Sequence, residues 1–284
     1  MNNIRIDSHQ HFWRYDPQKH VWMNERMDII KRDFLPADLL PQLQNCSLGG
    51  CVAVQANQAE VENEFLLELT QGNDFIKGIV GWVDLRAENV EERLEYYQQF
   101  PKIKGFRHVI HDEPELDFML GKNFMRGVSK LNKYGYIYDI LIFEKHLPNT
   151  LKFVEAFPEQ PFAIDHIAKP LIKQQITEDW ATNLKKVANF ENVYCKISAM
   201  TTEADWANWK KEDFTKYLDV VVEAFGTDRI MYGSDWPVCQ LAATYEAQFD
   251  IVGDYFSNFR QNEQDDFFGG NASRFYKLGH SDIR

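Results

Sequence analysis

The sequence predicts an α/β chain folded as a (β/α)8 barrel of the TIM type, with an extra helix at its C-terminal end. Three observations predict it: eight short apolar, β-rich runs, amphipathic stretches between most of them, and a length of 284 residues. Such barrels use about 250 residues as one domain. No Ser/Gly-rich linker or low-complexity run divides the chain, so 1–284 is expected to be a single domain.

The eight candidate strands are 4–7, 50–55, 76–83, 103–109, 137–143, 162–165, 193–197 and 230–232. Helical apolar spacing is read at 61–70, 90–100, 123–134, 180–189 and 214–225. Strands separated by helices pair in parallel through right-handed crossovers, and eight such units close into a barrel. An open doubly wound sheet is the competing architecture, but no Gly-rich phosphate loop follows an early strand. The stretch 245–277 reads as helical and is expected to pack outside the barrel. Two polar and aromatic insertions, 13–35 and 199–211, each follow a strand, which in a barrel places them over the catalytic face.

Composition excludes several function classes. With 44% hydrophobic and 26% charged residues, the chain can fill a large core and is not disordered. The aromatic share of 14% suits either an aromatic-lined pocket or an aromatic-rich core. A net charge of −12 repels phosphate backbones and anionic lipid, so neither nucleic acid nor membrane is an expected partner. Cys46, Cys51, Cys195 and Cys239 are scattered without a C-x-x-C pair and are expected as free buried thiols. No leader and no apolar run of about 18 residues is seen, and a cytoplasmic protein is expected. Homo-oligomerisation is left open.

The polar residues that could carry chemistry cluster at strand ends. Strand one ends in Asp7-Ser8-His9-Gln10-His11, and alternate residues of an extended segment share a face. His9 and His11 therefore point together, as metal ligands or as a proton-handling pair. Strand six ends in Asp165-His166-Ile167-Ala168-Lys169-Pro170, where an Asp-His pair in an apolar run is either hydrogen-bonded core or a site. Strand eight ends in Tyr232-Gly233-Ser234-Asp235-Trp236-Pro237, and Asp235 stands where a barrel places a general base or a metal ligand. Strand four ends in Gly105-Phe106-Arg107-His108. Arg107 offers a planar fork of donors, and His108 a donor to a developing oxyanion. Lys169, Trp82, Trp236 and Gln55 are further candidates for substrate binding, with Asp84 and Asn57 as additional pocket walls. Asp139, an acid among apolar neighbours, needs a partner, with Arg107 proposed. His20, His111, His146 and His280 are read mainly as surface or loop residues. The absence of a Gly-x-Ser-x-Gly elbow points to activated water rather than a serine nucleophile.

Taken together, the segments Asp7-Ser8-His9-Gln10-His11-Phe12-Trp13, Gly81-Trp82-Val83-Asp84-Leu85, Lys104-Gly105-Phe106-Arg107-His108, Asp165-His166-Ile167-Ala168-Lys169-Pro170, Tyr194-Cys195-Lys196-Ile197-Ser198, Thr202-Glu203-Ala204-Asp205-Trp206 and Tyr232-Gly233-Ser234-Asp235-Trp236-Pro237 span nearly the whole chain in order. They resemble the amidohydrolase superfamily, in its branch of sugar-lactone hydrolases (the L-fuconolactonase and L-rhamnonolactonase group). The resemblance implies a (β/α)8 barrel, a small sugar lactone as substrate, and His9, His11, His166 and Asp235 as the central constellation. Metal-rich members of the superfamily carry a bridging Lys or Glu at strand four and a further His at strand five. Here those strands offer Phe106, Arg107, His108 and Asp139. A binuclear site is therefore not expected. The resemblance leaves either no required cofactor or one divalent ion, zinc or similar, on His9, His11, His166 and Asp235. It also leaves two rivals to the lactonase: a metal-dependent decarboxylase of the same superfamily, and a non-catalytic binder of sugar acids.

Overall fold

The strands are buried along nearly their full length because helices cover one face and the barrel interior the other. The computed structural model describes residues 4–279. Its strands are β1 (Ile6–Gln10), β2 (Gly50–Val54), β3 (Ile76–Gly81), β4 (Ile103–Val109), β5 (Ile137–Leu141), β6 (Phe162–Ile164), β7 (Val193–Ile197) and β8 (Ile230–Tyr232). They form one parallel sheet in chain order. The seam between β8 and β1 closes through Gln10 and Trp236. The Asp235 amide donates to the His9 carbonyl at 2.8 Å, and the His11 amide to the Trp236 carbonyl at 2.7 Å.

Asp7 clamps this seam. Its carboxylate accepts from the Ser234 amide at 2.9 Å, the Ser234 hydroxyl at 2.6 Å and the Tyr245 hydroxyl at 2.9 Å. Burial pushes the Asp7 carboxyl up to about 6 despite these donors.

The helices are α1 (Pro36–Asn45), α2 (Glu60–Leu69), α3 (Val90–Tyr97), α4 (Lys122–Leu131), α5 (Leu147–Glu155), α6 (Glu178–Ala188), a short α7 (Met200–Glu203), α8 (Glu212–Phe225), α9 (Tyr245–Phe256), α10 (Gln261–Asp265) and α11 (Asn271–Phe275). α1 begins with Pro36, whose missing N–H falls where a first turn needs none, and Asp38 accepts from the Leu35 amide at 2.9 Å. α4 packs so closely that a Cβ on Gly127 would stand 1.9 Å from the Leu85 carbonyl oxygen. No helix among the described residues is long and apolar enough to cross a membrane.

The expectation for 245–277 needs correction. The stretch breaks into α9, α10, a π-turn at Asp266–Gly270 and α11. Its end does not lie on the outer face. Ala272, Phe275, Tyr276 and Leu278 pack with Ile6, Val52, Val54, Val80, Ile137, Ala163 and Met231. They close the barrel where the strands begin, because the apolar interior there would otherwise meet water. The insertion after β1 folds back through a bridge between Trp13 and Phe34 and a 3₁₀ turn at Glu25–Ile30. His280 lies outside the described residues.

Candidate active site

His9 and His11 project together from the end of β1, their Nε2 atoms 3.3 Å apart. The His11 Nδ1–H donates to the Val54 carbonyl at 2.8 Å, which turns its Nε2 towards the site. Asp235, at the end of β8, places Oδ1 3.3 Å from His11 Nε2 and 3.8 Å from His9 Nε2. His166, at the end of β6, brings Nε2 to 3.8 Å from the same oxygen and holds the Ser198 hydroxyl at 2.8 Å through Nδ1.

The backbone that delivers these groups is strained. Residues 166–169 all take left-handed conformations, with φ of 56, 48, 61 and 45°. Asp235 does so as well, at φ 57°. Non-glycine residues in this region cost about 1–2 kcal/mol each, and such strain collects where a site demands a particular side-chain direction. The β6 turn is held by the Trp180 indole donating to the Ile167 carbonyl at 2.7 Å and by the ion pair of Lys169 with Glu203 at 2.7 Å.

Arg107, from β4, lies beneath the histidines. Its guanidinium pairs with Asp165 at 3.1 Å and donates to the Gln55 carbonyl at 2.6 Å, and Nη1 is 3.3 Å from His9 Nε2. Burial drives His9 down to about 3 and His166 well below its ordinary range, so both imidazoles are neutral near pH 7. Burial alone would raise Asp235, but the imidazoles of His166 and His11 beside it outweigh that and hold the carboxyl below its usual range. The result is an ionised carboxylate facing three imidazoles.

These groups open into a cavity of about 410 Å³ lined by His11, Arg107, His166, Lys169 and Asp235. Its walls include Trp13, Trp22, Phe143 and Trp206, so both insertions contribute. Burial would lower the Lys169 ammonium, but Glu203 and Asp235 hold it above its ordinary value.

Several expected pocket residues stand elsewhere. His108 donates its Nε2–H to the Glu113 carboxylate at 2.6 Å and stacks on Phe118, so it faces a neighbouring loop and not the cavity. Trp82 points its indole at His108 at 3.4 Å and lines no part of the cavity. Trp236 is buried among Phe12 and Phe34. Gln55 is fully buried behind Arg107, to which it offers its backbone carbonyl. Asp139 does not pair with Arg107, although the two are register neighbours. Its partners are Lys196 and the Tyr276 hydroxyl, the latter at 3.0 Å. His111, read as a surface or loop residue, lines the cavity and stacks on Phe143. His20 and His146 are buried. Lys196 carried a signal that sequence reasoning passed over: a lysine in the apolar run Val-Tyr-Cys-Lys-Ile is as conspicuous as Asp139 two strands earlier.

The donor set suits a divalent cation. His9, His11 and Asp235 offer ligand atoms within 4.8 Å of one another, the donors are imidazole nitrogen and carboxylate oxygen, and His9 and His166 are kept deprotonated. His9 is the least free of the four, since Arg107 approaches the same nitrogen.

The family model described as amidohydrolase matches residues 6–278. An L-fucono-1,5-lactonase of Burkholderia multivorans is 37% identical over 98% of this chain and 97% of its own. One from Burkholderia ambifaria is 32% identical over 97% and 96%. A crystal structure of an amidohydrolase from Burkholderia multivorans with bound zinc superposes with a TM-score of 0.94 at 37% identity, covering 97% of this chain and 100% of that one. An eight-stranded parallel barrel with its polar constellation at the carboxyl ends of β1, β4, β6 and β8 thus matches relatives over nearly all of their length, and the chain belongs to the amidohydrolase family.

Proposed function

We propose that this protein hydrolyses an aldonolactone of the L-fucono- or L-rhamnono-lactone type to the aldonic acid. The observation that carries the reading is the convergence of three imidazoles on one ionised carboxylate at the mouth of the cavity. The names of its relatives support the substrate class.

Asp235 takes a proton from water as the water oxygen bonds to the lactone carbonyl carbon. His9, His11 and His166 hold that water on the Asp235 side. Arg107 donates to the carbonyl oxygen as negative charge grows there. When the tetrahedral centre collapses, the bond from the carbonyl carbon to the ring oxygen breaks and the ring oxygen receives the proton. Trp13, Trp22 and Trp206 offer apolar faces to the sugar, and the Lys169–Glu203 pair offers a donor and an acceptor to its hydroxyls. A divalent ion would be held by His9, His11, His166 and Asp235, and when bound it supplies Lewis acidity and a more acidic water.

A pH-indicator screen of sugar lactones, with and without chelator and paired with metal analysis of the purified protein, tests this reading. Acid release on an aldonolactone is expected, and no turnover across the panel would sink it in favour of a sugar-acid binder.

A further inference from the structure

A file of buried polar side chains runs down the barrel axis from His9 to the opposite end. His9 Nδ1 lies 3.2 Å from both Asp165 Oδ1 and Lys196 Nζ. Lys196 Nζ is 3.0 Å from Asp165 and in close contact with Asp139. The Tyr276 hydroxyl donates to the Asp139 carboxylate, at 3.0 and 3.1 Å from its two oxygens. The side chains of Asp139, Asp165, Lys196 and His9 are fully buried, and Tyr276 is nearly so.

Such a file is expensive to bury and weak as a source of stability. Isolated charges in an apolar interior are heavily penalised, and buried pairs roughly break even against apolar replacements of the same shape. Four charges alternate here, with Asp139 and Asp165 against Lys196 and Arg107, so the interior is neutral in sum. Its upper end touches both ring nitrogens of His9, through Asp165 and Lys196 at Nδ1 and Arg107 at Nε2. Its lower end is supplied by the segment that closes the barrel floor. No atom of Lys196, Asp139 or Tyr276 lines the cavity.

We propose that Tyr276, acting through Asp139, Lys196 and Asp165, is a positioning residue that fixes the ring of His9 for the reaction from the far end of the barrel. The inference rests on the hydrolytic reading above. Removing the Tyr276 hydroxyl leaves one Asp139 acceptor unfilled. Asp139 then draws Lys196 towards itself, and the contacts of Lys196 with Asp165 and with His9 Nδ1 loosen. Misplacing a reacting group by a fraction of an ångström slows chemistry far more than it weakens binding.

The test compares wild type with Tyr276→Phe in steady-state kinetics and in the ring ¹⁵N signals of His9, assigned by loss in His9→Gln. In Tyr276→Phe, kcat is expected to fall about 10-fold while KM stays within about twofold, the scale on which outer partners of active-site histidines act. The His9 ring signals are expected to move, which a purely structural role would not bring about in a folded chain. Wild-type kcat together with unmoved His9 signals would overturn the proposal. Should Tyr276→Phe fail to fold, Asp139→Asn keeps the shape, removes the charge facing Lys196 and carries the same two readouts. If wild type turns over no lactone, the hydrolytic reading fails separately, and the His9 signals still decide the positioning role.

Discussion

At the scale of the residue, the proposed mechanism turns on Asp235. Its Oδ1 faces three imidazole nitrogens at 3.3–3.8 Å. Asp235→Asn keeps the shape and removes the proposed base, so kcat on any lactone that wild type hydrolyses should drop by ~10² or more with the fold intact, as expected for loss of a positioned acid–base group. Circular dichroism of the variant checks the fold. Activity equal to wild type would reassign the base. Residue identity at strand ends made His9, His11, His166 and Asp235 readable, because packing an apolar barrel gives no reason to end its strands in imidazoles and a carboxylate. Trp82, Trp236 and His108 stand at strand ends too, but which way a side chain turns there depends on bends such as the left-handed run at 166–169. The pairing of Asp139 was misassigned for a related reason: Arg107 is its register neighbour, yet opposite charges inside a barrel meet across the axis, and Lys196 comes from two strands away.

At the scale of the element, the strands were the most legible part. Parallel strands covered on both faces give continuous apolar runs with sharp ends, and seven of eight expected runs begin at the observed first residue. The helical spacings read from the sequence do not include α1 or α5; Pro36 and Pro148 stand in their first turns, where proline is tolerated, and Pro41 lies inside α1. The packing of α4 yields a sharper expectation. Gly127→Ala would drive a methyl group into the Leu85 backbone, and overpacking of this kind costs about 1–3 kcal/mol. Thermal unfolding should show a Tm lower by several degrees, with kcat per folded molecule unchanged. An unaltered Tm would mean that α4 can slide away from the 85–87 loop.

At the scale of the whole molecule, acid sensitivity follows from the buried imidazoles. Burial, helped by the nearby charges of Lys169 and Arg107, takes His111 from an ordinary 6.5 down to about 3. The unfolded chain therefore binds a proton there that the folded chain does not, between those two values. The stability from neutral His111 is complete above 6.5 and is lost as pH falls through the window towards 3. Asp7, pushed up to about 6, acts in the opposite direction, so the comparison must be between variants. His111→Gln should show a shallower fall of Tm between pH 7 and 5 than wild type in matched scans. Parallel curves would rule His111 out as a source of the acid sensitivity. The closing of the barrel floor by α11 was the large-scale feature that local sequence patterns did not reveal, since nothing in 271–278 states which cavity its apolar side chains will fill.

The clamp of Asp7 on Ser234 joins residues 227 positions apart, and the candidate base lies immediately beyond that clamp. During synthesis the ribosome releases His9 and His11 long before it releases their carboxylate. A nascent or truncated chain lacking β8 therefore carries imidazoles without a partner and has no hydrolytic chemistry to misdirect. In refolding, long-range pairings of this kind form late, so helical signal should return first and turnover only when the two ends of the chain have found each other. Catalysis in this protein is in that sense a report that the circle has closed.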